Sequence, residues 1–81
     1  MSKLLVGDKM PNVPINADIL AVKLYNLLDE DRHYLRVVLC RAINITPYIV
    51  WCYNLEDSYA FEGSYHEFFE DAMDCFSMRG I

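Results

Sequence analysis

Residues 48–53 (YIVWCY) constrain this chain more than any other segment, because six apolar or aromatic positions run together without charge, glycine or proline. Aromatic and β-branched side chains favour the pleated surface of a sheet. Successive strand side chains point to opposite faces, so both faces of this strand are apolar. A strand of that kind belongs in the middle of a sheet. Before it, residues 34–43 read as a second strand, with Leu35, Val37, Leu39 and Ile43 on one face and Arg36, Val38 and Cys40 on the other. Asn44-Ile45-Thr46-Pro47 is a short connection. After it, Asn54-Leu55-Glu56-Asp57-Ser58 turns the chain into a third short strand over residues 59–62, which Gly63 closes. The expectation is a three-stranded antiparallel meander.

Helical spacing flanks this meander. Asn16 can cap a helix in which Ala17, Leu20, Ala21, Leu24, Tyr25 and Leu28 recur at the i, i+3, i+4, i+7 spacing, with Ile19, Val22 and Leu27 widening the apolar face and Asp29-Glu30-Asp31 ending it. Ser64 and Glu67, three apart, form a capping-box pattern ahead of Tyr65, Phe68, Phe69, Ala72, Met73 and Phe76, which also keep helical spacing. Arg79 suits the negative helix end, and Gly80 can stop it. Residues 1–16, with Leu4-Leu5-Val6, Gly7, Pro11 and Pro14, read as an arm with a brief edge strand. The expected fold class is α+β: helix, three-stranded antiparallel β-meander and C-terminal amphipathic helix, in one small domain over residues 1–81.

Charge is divided unevenly. Residues 42–78 hold no Lys or Arg and seven acidic side chains, Glu56, Asp57, Glu62, Glu67, Glu70, Asp71 and Asp74, so the net charge of −5 lies almost wholly in the second half. Nine of the eleven aromatic residues lie in the same stretch, so the acidic half is also core-forming, unlike a disordered acidic tail. Phosphate contacts need Lys and Arg, which argues against direct binding to nucleic acid or an anionic membrane. The natural partner of such a surface is a basic protein surface. Cys40, Cys52 and Cys75 are odd in number and widely spaced, which fits buried reduced thiols and a cytoplasmic location in a host cell. No close His or Cys pair suggests a metal, and no glycine-rich phosphate loop or nucleophile motif suggests catalysis. Neither an enzyme nor a cofactor is expected.

Glu67, Glu70, Asp71 and Asp74 stand at helical spacing opposite the apolar stripe, unrelieved by any lysine. Like charges three or four apart oppose helix formation by about 0.2–0.5 kcal/mol per pair. The row reads either as a solvated face or as a stripe of carboxylates standing in for phosphates in a basic groove, which Glu56, Asp57 and Glu62 would extend. Tyr48 and Tyr59 are candidate interface anchors, whereas Trp51 and Phe61 suit the core. A second apolar sheet face could instead be buried in a homodimer.

The stretch over residues 48–79 (YIVWCYNLEDSYAFEGSYHEFFEDAMDCFSMR) joins an aromatic strand, an acidic turn, a Gly-aromatic step and a closing helix ending in Arg. In this pattern, and in its small size and acidity, the chain resembles small phage and mobile-element proteins of the anti-CRISPR type. The likeness covers roughly the last 32 residues and assigns no residue a role. It implies an inhibitor that occupies the nucleic-acid groove of a host defence protein. The alternative expectation is a small homo-oligomeric accessory or structural protein that associates through its sheet.

Overall fold

The computed structural model describes residues 4–25 and 34–79. The chain is α+β, a four-stranded antiparallel sheet with one helix. Strands β1 (Ala17–Leu24), β2 (Leu35–Ala42), β3 (Tyr48–Asn54) and β4 (Tyr59–His66) lie side by side in chain order, and helix α1 (Phe69–Met78) follows. β2 and β3 occupy the interior, as their composition requires. Val37, Val38, Leu39 and Cys40 of β2, and every residue from Ile49 to Asn54 of β3, are buried.

The expected first helix is instead β1, within the described residues; positions 26–31 of that expectation lie outside them. Residues 17–24 satisfy the helical apolar spacing, yet β2 has both faces buried and must satisfy its backbone groups on both sides. A helix leaves no such groups to share, whereas β1 pairs with β2 from Ala17↔Ala42 to Leu24↔Arg36. The register shifts between Ile19 and Ala21. That bulge explains how one short strand serves two cores: Ala17, Ile19 and Val22 join one cluster, while Ala21 and Tyr25 join the other.

The last helix starts later than the capping-box pattern suggests. Residues 63–66 continue β4, because β3 begins at Tyr48 and offers a partner as far as Tyr48↔His66. Ser64 lies opposite Val50, and its Oγ is 2.8 Å from His66 Nε2, so His66 ends a strand rather than opening a helix. α1 begins after Phe68, without a side-chain cap. Ala72 and Phe76 are its buried residues. Arg79 follows the last turn and turns its guanidinium to Cys52 Sγ at 3.5 Å instead of to the helix end. Gly80 lies outside the described residues. Ile43, expected on the β2 face, is in the β2–β3 connection and fully exposed.

Each sheet face has its own cover. On one face Met10, Ala17, Ile19, Val38, Cys40, Ala42, Ile49, Trp51 and Tyr53 form a core, with Leu4, Val13 and Ile15 of the arm packed on it. The arm does add an edge pairing: Gly7 N–H donates to Ile19 O, Ile19 N–H to Asp8 O and Met10 N–H to Ala17 O, each at 2.8 Å. At Asn12, whose φ is 58°, the side-chain amide donates to Ser58 O at 2.6 Å and to the buried Tyr53 hydroxyl at 3.2 Å. The arm is thereby tied at β1 and at the β3–β4 turn. On the opposite face α1 covers Val37, Leu39 and Val50 with Ala72 and Phe76. Lys23 pins its far end, donating to Ser77 O at 3.0 Å with its ammonium 5.1 Å from the Phe76 ring centre.

Candidate functional site

β4 is an edge strand, and its local geometry controls where the acidic side chains go. Asn54 ends β3 buried, and its Oδ1 accepts from Glu56 N–H at 2.8 Å and Asp57 N–H at 3.0 Å. Its amide donates to Asp57 Oδ2 at 3.3 Å. This Asx-type turn, completed by Ser58 at φ 54°, holds Glu56 and Asp57 on the surface. Further along, the β3–β4 register shifts between Val50 and Cys52. Glu62, with φ 53°, and Gly63 together stand opposite Trp51, a bulge of one extra residue, and Gly63 leaves room for the indole. Glu62 is exposed at this bulge, with Oε2 4.0 Å from Cys52 Sγ.

Glu67 lies in the bend between β4 and α1, so the sequence-derived row of four helical carboxylates becomes three on the helix and one before it. Glu70, Asp71 and Asp74 are exposed. At about 100° per residue they occupy roughly 100° of arc opposite Ala72 and Phe76. Glu70 and Asp71, in the first turn, face the positive helix end, which Asp74 does not. Among the described residues none of the seven carboxylates forms an ion pair; the one recorded there joins Lys9 to Asp18 at 2.6 Å.

Not all seven come together. Glu67, Glu70, Asp71 and Asp74 share the β4–α1 side of the molecule, with Glu62 midway along β4. Glu56 and Asp57 are at the other end of that strand, roughly 23 Å from Glu67 at about 3.3 Å per residue. The arrangement is an acidic flank, not a cluster. Of the proposed anchors, Tyr59 is about half exposed and lies against Phe61, while Tyr48 is half-buried beneath Phe69, with ring centres 5.3 Å apart. Trp51 is buried, edge-on to Tyr65, and Phe61 is half-buried. Val50 is covered by α1, so the apolar β3 face is already occupied within the chain.

Beneath the flank lie two thiols. Burial pushes the Cys52 thiol above its usual range, and the Arg79 guanidinium beside it pulls part of the way back. Cys75, one turn before Arg79 on α1, packs at the rim of the same core. Cys52 is buried and Cys75 half-buried.

Sequence reasoning missed the apolar side chains left in solvent: Ile43, Ile45, Tyr65, Phe68 and Phe69. The signal was present at the connection, where two β-branched hydrophobes stand in a segment that turns normally fill with polar residues. Phe68 and Phe69 were concealed by their helical spacing. No helix among the described residues is long and apolar enough to cross a membrane. Comparison with protein-family models, curated proteins and solved structures finds no match to this chain.

Proposed function

We propose that this protein is an acidic, protein-binding inhibitor that occupies the nucleic-acid groove of a host defence protein, in the manner of an anti-CRISPR protein. The observation that carries the reading is the flank itself: seven exposed carboxylates, none of them in an ion pair among the described residues, running from the β3–β4 turn along β4 to the outer face of α1. Carboxylates one helical turn apart, with about 5–6 Å between Cβ atoms, offer a ladder of negative charge to Lys and Arg side chains that otherwise hold phosphates. Glu62 adds to the argument, since a carboxylate there is kept at a backbone conformation better suited to glycine. Long-range attraction of this kind speeds association and weakens with salt.

The test is capture from a nuclease-treated bacterial lysate on the tagged protein, beside a variant carrying Glu67→Gln, Glu70→Gln, Asp71→Asn and Asp74→Asn. The expected result is a nucleic-acid-binding protein retained by the wild type, released by added DNA or RNA, and lost by the variant. Retention that is indifferent both to neutralisation and to added nucleic acid would refute the mechanism.

A further inference from the structure

The acidic flank ends beside a group of exposed apolar side chains. Ile43 is 107% exposed, Ile45 89% and Phe68 63%. The topology places them together. Tyr48, the first residue of β3, pairs with Arg41 on one side and His66 on the other. The β2–β3 connection and the β4–α1 junction therefore leave the sheet at the same end, two strand spacings or about 10 Å apart. Phe69 lies edge-on over Tyr48 between them. Scattered exposed hydrophobes are ordinary on a protein surface; a group at one end of a small domain marks an interaction site.

Building on the proposed function, we infer that this end is the anchoring half of the interface: Ile43, Ile45, Phe68 and Phe69 enter an apolar pocket beside the basic groove of the target. The chemistry around the group selects that occupant. Glu67 on one side and Glu70 and Asp71 on the other flank the two phenylalanines in sequence, and all three are exposed. Arg41, exposed at the end of β2, is a single cation set against these three carboxylates, and Asp18 opposite it on β1 is paired with Lys9. A second copy docking here would oppose carboxylate to carboxylate, and an anionic lipid surface would be repelled. A pocket with a Lys- and Arg-lined rim satisfies both components.

The two components have different kinetic signatures. Desolvated apolar anchors hold a complex together and set its dissociation rate, whereas charges at the rim set association and salt dependence. The experiment measures both rates, at low and moderate salt, for the captured target against three proteins. These are the wild type, the variant I43S/I45S/F68S, and the carboxylate variant E67Q/E70Q/D71N/D74N. Circular dichroism first establishes that the variants fold; all three replaced apolar side chains are mainly in solvent.

The expected result is dissociation at least about tenfold faster for the apolar variant, with the wild-type salt dependence kept. The carboxylate variant should instead associate more slowly and lose its salt dependence. If the apolar variant leaves at the wild-type rate while the carboxylate variant fails to bind, this inference falls and the proposed function stands. If the wild type captures no nucleic-acid-binding protein, both fall. A dimer seen by light scattering in the wild type and abolished in I43S/I45S/F68S would assign the patch to a second copy and overturn it.

Discussion

Gly63→Ala tests whether the β4 bulge is shaped by packing against Trp51. A Cβ built at residue 63 would stand 2.7 Å from Trp51 Nε1 and 3.0 Å from Cδ1. Favourable contact between such atoms lies at about 3.5–4.0 Å, so the indole or the strand must move by several tenths of an ångström. The indole is a rigid ring, buried and held edge-on by Tyr65 at 6.3 Å, and has little freedom to yield. Overpacking of this type costs about 1–3 kcal/mol. Restricting the unfolded chain returns about 0.4–1 kcal/mol. Because the ring is rigid, the cost falls in the upper half of that range and the net loss is about 1–2.5 kcal/mol, which for a domain of this size lowers Tm by roughly 5–20 °C. Urea unfolding followed by far-UV circular dichroism measures it, with or without the single tryptophan. In a Trp51→Leu background the same alanine should cost less than half as much, because the atoms it meets are gone. A loss in the wild type below about 0.3 kcal/mol, or an equal loss in both backgrounds, would refute the packing account.

Four further outcomes follow from the fold. Glu62→Gly relieves a left-handed backbone position and should raise stability by about 0.5–1 kcal/mol while weakening target binding; chemical denaturation and the binding assay should move in opposite directions. Asn12→Ala removes the amide that holds Ser58 O and the Tyr53 hydroxyl. It should lower stability by about 1–3 kcal/mol and speed hydrogen exchange at Met10 and Gly7 before that of β3. Burial, aided by the charge of Asp18, raises the Cys40 thiol from 9.0 to about 12. The folded state therefore holds this proton more tightly than the unfolded chain. Its contribution is intact below pH 9.0 and is lost as pH rises towards about 12, at about 1.4 kcal/mol per pH unit. Cys40→Ala should flatten that alkaline slope. Under native conditions a thiol reagent should modify half-buried Cys75 ahead of Cys40 and Cys52, both fully buried.

What the sequence determined by itself is whatever depends on neighbours along the chain. β2 and β3 are visible as dense β-branched and aromatic runs, the turn at residues 54–58 as a run of turn formers, and the helix core at Ala72, Met73 and Phe76 as periodicity. The acidic character of the second half and the exposure of all seven carboxylates were legible as charge without a lysine. What only tertiary structure decided depends on pairing. Residues 17–24 carry helical spacing, yet the unsatisfied edge of β2 draws them into a strand. Ser64 and Glu67 carry a capping pattern, yet the unpaired end of β3 holds Ser64 in β4 and delays the helix to Phe69. Backbone hydrogen bonds between strands are worth more when their absence would leave buried donors and acceptors unmet, and a local cap cannot match that. The same pairing carried the β2–β3 connection and the β4–α1 junction to one end of the sheet. Local spacing does not record which distant segments a sheet will bring together, so Ile43 and Ile45 were visible as hydrophobes in a turn, but their meeting with Phe68 was not.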